Sequence, residues 1–273
     1  MRITETTPTT SVDPRSGIVT YELSHVWGHG APTHPGFPGV QIRRQANHAE
    51  HGVTSQRIRT VMHTGTHVNA PRHLVQGGAG IGDLSLHTFI GPGVVVGAEK
   101  ERWELVGVAD LKRAEIEPGD IVVIATGWHR CYGDSQRYFA EAPGLDPAAA
   151  AWLVARGVKL VAVDTPNVDH PLATSLGEHR GGPTARYVPA RYERETGRPA
   201  ATDFPDWNPA HRLLLEAGVP TIENVGGAVD ELRGRRVTIE AFPWRWPEGD
   251  ACQVRMVALV DPSGEYRVET GER

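Results

Sequence analysis

Three histidines within eleven residues, His63, His67 and His73, are the side chains of this sequence best suited to chemistry. They stand four and six apart in His63-Thr64-Gly65-Thr66-His67-Val68-Asn69-Ala70-Pro71-Arg72-His73, a run broken by a glycine and a proline. Neutral imidazole is the commonest protein ligand for zinc-like metals, and imidazole also exchanges protons near neutral pH. Three of them on one short segment point to a divalent cation, a proton-transfer step, or both.

A cation would need further ligands from elsewhere in the chain. His211 opens a helical pattern, and Glu223 follows twelve residues later at the end of a short apolar run. A lone histidine at a helix start is ordinarily a surface residue, so spacing alone leaves both as open candidates. Asp164-Thr165-Pro166-Asn167-Val168-Asp169-His170 follows another apolar run. For Asp169 and His170 the simpler reading is an Asx turn at a strand exit. Asp164 stays open as a carboxylate supporting the site from behind. Histidines 25, 29, 34, 48 and 51 fall in an early loop, mostly as surface residues, with one or two free to line a pocket.

Other chemistries lack their residues. Gly77-Gly78-Ala79-Gly80-Ile81-Gly82 has neither the preceding strand nor the following Lys-Ser/Thr of a phosphate loop, so it reads as a flexible turn. The two cysteines, Cys131 and Cys252, form no CxxC, which excludes a disulfide framework and disfavours a cysteine zinc site. There is no GxSxG, so a serine or cysteine nucleophile has no recognisable setting.

The elements that must position these residues follow from pattern. Ile18 to Leu23 reads as a short strand, and Thr54 to Met62 alternates, which puts His63 at or just past a strand end. Val94 to Val96, Ile121 to Ala125 and Val158 to Val163 are buried strand candidates, and Val108 to Ala114 a short helix. Pro147 to Ala155 is a helix with Asp146 as cap and Gly157 as stop. A second helix has Asn208 as cap, Pro209 first and Gly218 as stop, and leads to a strand over Val219 to Glu223. Val237 to Phe242 and Val254 to Leu259 complete the strands. Helix–strand alternation argues for an α/β fold with some parallel strands in one domain. Residues 1–16 read as a flexible tail and 177–207, rich in Arg, Gly and Pro, as a surface insertion.

Composition bounds the remainder. The 273 residues carry a net charge of −5, which gives no basic footprint for nucleic acid. No stretch approaches eighteen apolar residues, and the N-terminus has no apolar signal core, so the expectation is a cytoplasmic enzyme with no membrane partner.

The histidine segment also resembles the HxGTHxDxPxH signature of the cyclase family, whose best-known activities are bacterial kynurenine formamidase and isatin hydrolase. Leu23-Ser24-His25 with Pro35-Gly36, Val163 to Asp169, and Pro209-Ala210-His211-Arg212 followed by Ile222-Glu223-Asn224 resemble further family segments, in order along residues 18 to 260. The resemblance implies a swivelling β/α/β fold with a mixed sheet, a homodimer or homotetramer, and a metal-dependent hydrolase site. It implies His63, His67, His211 and Glu223 as metal ligands and His73 as proton shuttle.

Asn69 stands where the family has Asp. A neutral amide offers one carbonyl oxygen and no charge, so two divalent ions would share a single carboxylate, Glu223. The expectation is therefore one ion per chain, zinc first and manganese second, or a weak second ion, with Asn69 as a poorer ligand. The leading function is hydrolysis of an amide, lactam or lactone in a small ring-bearing substrate, with Trp27 or Phe37 packing on the ring. A cyclase, dehydratase or lyase using the same ion is the alternative, and a non-catalytic metal-stabilised binding protein the third reading.

Overall fold

The computed structural model describes residues 9–180 and 186–264. In chain order the strands are β1 (Thr10–Val12), β2 (Val19–Glu22), β3 (Gln41–Ala46), β4 (Ser55–Arg59), β5 (His67–Asn69), β6 (Ile90–Gly97), β7 (Leu105–Val106), β8 (Ile121–Ala125), β9 (Gly144–Leu145), β10 (Leu160–Val163), β11 (Thr221–Glu223), β12 (Arg236–Glu240), β13 (Ala251–Gln253) and β14 (Val257–Val260). The helices are α1 (His48–His51), α2 (Val108–Leu111), α3 (Ser135–Ala140), α4 (Pro147–Arg156), α5 (Tyr187–Thr196), α6 (Ala200–Asp203) and α7 (Pro209–Glu216).

Ten strands form one mixed sheet in the order β1-β2-β14-β12-β6-β8-β10-β11-β5-β13. Its centre, β6-β8-β10-β11, is parallel. β8 and β10 are buried at every position, as parallel strands covered on both faces must be. On one face Val94, Val96, Val122, Ile124, Val161 and Val163 pack against Leu111, Leu153 and Leu214 of α2, α4 and α7. On the other, Val68 and Cys252 from one end of the sheet share a cluster with Ile239 and Ala258 from the other. The two ends meet only if the sheet curls, so the antiparallel flanks close over that face.

α4 forms as its ends dictate: the Asp146 side chain accepts from Ala148 N–H, Pro147 opens the first turn, and Gly157 closes it at φ 74°. α7 does not. Asn208, expected as its cap, sits at φ 47° and makes no side-chain cap bond. The carboxylate of Asp169 caps it instead, accepting from Ala210 N–H at 2.8 Å and His211 N–H at 3.0 Å.

Two further expectations change, and a third segment gains internal structure. Within the expected tail, Thr10–Val12 pairs with β2, while residues 1–8 lie outside the described residues. The strand before His63 ends at Arg59 and belongs to a separate exposed hairpin with β3, so it does not mount His63 on the main sheet. The 177–207 insertion, of which 181–185 lie outside the described residues, contains α5 and α6. Val188, Tyr192 and Ala200 there are buried against Trp103 and Leu172.

Ile222 points into the core between Thr221 and Glu223, which point the other way. Ile222→Ala should destabilise the fold by about 2–5 kcal/mol in denaturant unfolding; a loss under about 1 kcal/mol would contradict this packing.

Candidate metal centre

The site lies beyond the carboxyl ends of parallel strands, where open α/β sheets bind ligands. In β5 the residues alternate, with Val68 in the core and His67 and Asn69 on the α7 face. β11 pairs with β5 so that Glu223 opposes His67 and Thr221 opposes Asn69. α7 lowers His211 onto this face.

Each inner donor is held by its other end. His67 Nδ1–H donates to Gly65 O at 2.8 Å, which leaves Nε2 aimed at Glu223 Oε2, 3.2 Å away. That Nε2 is buried and lacks hydrogen-bond geometry to any partner. His211 Nε2 meets Thr221 Oγ1 at 2.8 Å, which turns Nδ1 toward Glu223 Oε1 at 3.8 Å. Glu223 Oε1 accepts from Val168 N–H at 3.0 Å. Anchoring the second ring nitrogen in this way sets tautomer and orientation in metal-ligating histidines.

The electrostatics suit a cation. Burial pushes the Glu223 carboxyl up, but the His67 contact and the nearby His211 outweigh it and hold the group well below the usual carboxylate range. Burial brings His211 down to about 4 and, with repulsion from His211 and His63, His73 to about 3.

 A neutral His211 imidazole beside one ionised carboxylate, with a buried Nε2 on His67 that no proton donor meets, fits a divalent cation.

The motif's small residues make this geometry possible. Gly65 sits at φ +71°, and a Cβ there would stand 2.6 Å from Trp27 Cδ1. Trp27 therefore packs against the backbone of the histidine segment and, contrary to the substrate-binding expectation, does not line the cavity. Thr66 Oγ1 donates to Asn224 O at 2.6 Å and accepts from His25 N–H at 3.0 Å, tying the early loop to the exit of β11. A 3-10 turn over Pro71–His73 brings His73 back to His211, ring centroids 5.6 Å apart.

The remaining expected residues fall into place unevenly. His63, His67, His73, His211 and Glu223 all line one cavity of about 270 Å³, together with Phe37. Asn69, expected as a ligand, is wholly buried, does not line that cavity, and contacts Thr221 Oγ1 through Nδ2 at 3.4 Å. Asn69 thus stands behind Thr221, which in turn holds His211. Asp164 does not support the ligands: it accepts from Thr126 and Gly127 and meets His129 Nδ1 at 3.0 Å, joining the exits of β8 and β10. Of the early histidines, His34 lines the cavity, and His25 stacks on Tyr132 with ring centroids 3.7 Å apart.

Two residues that the sequence pattern did not single out as functional are Asp169 and Asp250. Asp169 was read as turn-forming, yet it fixes the first turn of α7 and with it the backbone of His211. Asp250 precedes β13 and meets His63 Nε2 at 2.9 Å. Only its charge and its place before the apolar pair Ala251-Cys252 mark it in the sequence, and neither is a specific signal.

Removing the residues that hold the inner donors should weaken the centre without touching a ligand. Thr221→Val should lower metal affinity about 10- to 100-fold by equilibrium dialysis, because it frees the His211 ring. Asp169→Ala should do the same and also destabilise the fold by about 1 kcal/mol through the lost cap. Wild-type affinity in both variants would remove these roles.

The cyclase family model matches residues 21–170. Kynurenine formamidase of Salinibacter ruber is 30% identical over 234 residues, covering 84% of this chain and 91% of the relative. Kynurenine formamidase of Bacillus cytotoxicus is 26% identical over 206 residues, covering 76% and 79%. Among solved structures, isatin hydrolase A from Ralstonia solanacearum shares the fold with a TM-score of 0.72 at 22% identity, over 90% of this chain and 93% of that one.

Proposed function

The chain belongs to the cyclase family, and on that premise we propose that it is a metal-dependent hydrolase of an amide, lactam or lactone bond in a small ring-bearing substrate. The observation that carries this reading is a carboxylate-centred histidine cluster forming part of the lining of a cavity with aromatic walls. His63, His67, His211 and Glu223 would hold one divalent cation, zinc first and manganese second. Such an ion supplies an activated water at neutral pH and a charge that polarises the scissile carbonyl.

The chain's own residues do the rest. His73 is neutral at pH 7, since its pKa is brought down to about 3 by burial and by the His211 and His63 rings. It accepts the proton of the attacking water and returns it to the leaving nitrogen or oxygen, as base and then acid. Phe37, Phe139 and Trp207 line the cavity with Pro32, Pro166 and Leu74, and they shape a slot for a flat ring. Among the described residues no lysine or arginine lines it, which favours a neutral ring over a substrate bearing a carboxylate or phosphate.

Isatin and an aryl formamide are the first substrates to try, since relatives and structural neighbours are a kynurenine formamidase and an isatin hydrolase. His67→Ala should lose bound metal, measured by plasma emission, together with turnover. His73→Ala should keep the ion and lose about 10²- to 10⁴-fold in rate. Full turnover by the His73 variant would remove its proton-transfer role, and a metal-free protein with wild-type rate would overturn the reading.

A further inference from the structure

Asn224 follows Glu223 directly and lines the same cavity. Its φ is +61°, a value that few non-glycine residues of the chain adopt. Glycine would take that conformation with less strain, and what asparagine adds is an amide. Strained backbone of this kind persists only where its surroundings impose it, and it gathers at functional sites. Here three contacts from different parts of the fold impose it. Asn224 N–H donates to Thr165 O at 3.0 Å, just past the exit of β10. The Asn224 carbonyl accepts from Thr66 Oγ1 at 2.6 Å, and the side-chain Oδ1 accepts from Tyr138 O–H at 3.0 Å.

Only the last of these contacts involves the side chain, and it sets which way the amide faces. Tyr138 belongs to α3 and is fully buried, and burial pushes its phenol well above the usual range, so the hydroxyl keeps its proton and donates. The same hydroxyl stands 3.3 Å from Asp164 O, the longer of its two contacts. With Oδ1 engaged, the amide has its two N–H donors left. Nδ2 has no hydrogen-bond partner among the described residues and is not sealed from solvent, so it opens to the cavity. Asn167 and Asn208 line that cavity too, but among the described residues no side chain fixes their amides.

We propose that Asn224 Nδ2–H donates to the carbonyl oxygen of the scissile bond and that Tyr138 is the residue that positions it. The inference rests on the hydrolysis proposed above. As water adds to the carbonyl carbon, the π electron pair moves onto the oxygen and the water's proton goes to His73. The oxygen then carries the negative charge that Nδ2–H meets. When the pair returns, the carbon–nitrogen or carbon–oxygen bond breaks, and the leaving group takes the proton from His73. No lysine or arginine among the described residues lines the cavity to share this task. A donor fixed in advance stabilises the charged oxygen more than the ground-state carbonyl, so its effect falls mainly on kcat.

The test compares variants of the metal-loaded protein, with bound metal counted by plasma emission. Asn224→Gly suits the backbone and removes the amide; Asn224→Asp keeps the size and the acceptor and removes the N–H. Both should retain the ion and lose about 10²- to 10³-fold in kcat on an aryl formamide, with KM within about threefold of wild type. Tyr138→Phe should lose about tenfold in kcat and cost nothing further in an Asn224→Gly background, which a loss of packing alone would not produce. Wild-type kcat in either Asn224 variant overturns the donor, and so does loss of the ion from both, which would assign Asn224 to holding Glu223. An equal loss from Tyr138→Phe with and without Asn224 overturns the positioning role. A wild-type protein that hydrolyses neither the formamide nor isatin counts against the proposed function instead, and calorimetric binding of isatin then reads the donor. Affinity about three- to tenfold weaker in Asn224→Gly supports it, and equal affinity, or no binding by either protein, overturns it.

Discussion

β5 is three residues long, and its pairing on both edges sets the geometry of the whole centre. Against β11, His67 opposes Glu223 and Asn69 opposes Thr221. Against β13, the same two residues oppose Gln253 and Ala251, which leaves Asp250 at the strand's end. Directly opposed side chains in antiparallel strands have Cβ atoms about 4.5–5.5 Å apart, close enough for an imidazole and a carboxylate to share an ion. A slip of one residue would turn His67 and Asn69 into the apolar core and Val68 toward α7. Val68, fully buried among Leu23, Ile222 and Cys252, is what resists that slip. The apolar register and the metal-facing register are therefore one constraint.

Holding an ionised carboxylate in this place is unfavourable unless it is compensated. An isolated buried charge costs several kcal/mol even after relaxation. Glu223 is compensated from three sides, by Val168 N–H, His67 and His211. A second buried carboxylate lies close behind. Burial pushes Asp169 up to about 7, against the lowering effect of the Ala210 and His211 N–H groups, and Glu223 pushes in the same direction as burial. The N-terminus of α7 meets Asp169 with two N–H groups and the positive end of its dipole. The same first turn presents His211 to Glu223, so helix capping and ligand placement draw on a single contact.

What was legible in the sequence divides by range. The strands β6, β8 and β10 and the helix α4 read directly, because continuous apolar runs and a local Asp-Pro…Gly frame are properties of neighbouring residues. The pairing of His211 with Glu223 was open to spacing because α7 and β11 are contiguous. Asp169 was missed because its partners lie 41 and 42 residues away, while Asn208-Pro209 offers a local cap signal that the backbone does not use. Asp250 was missed for the same reason at greater range, 187 residues from His63. Trp27 misled because an aromatic on a loop near a site has two uses, facing substrate or bracing backbone. The positive φ of Gly65 opens room for the second.

Asn69 acquires its meaning from this arrangement of charges. A carboxylate at that position would be a third buried anion near Glu223 and Asp169, on a face with no lysine or arginine among the described residues that line the cavity. Such a cluster would need a second cation deep in the fold to be tolerated. An amide removes that requirement. It can hydrogen-bond to Thr221 as a neutral group, and Thr221 passes the constraint to the His211 ring. The inner cluster then carries a single carboxylate, Glu223. The remaining carboxylate of the neighbourhood, Asp250, sits beside β13 at the edge of the sheet, where water lowers the free energy of its charge.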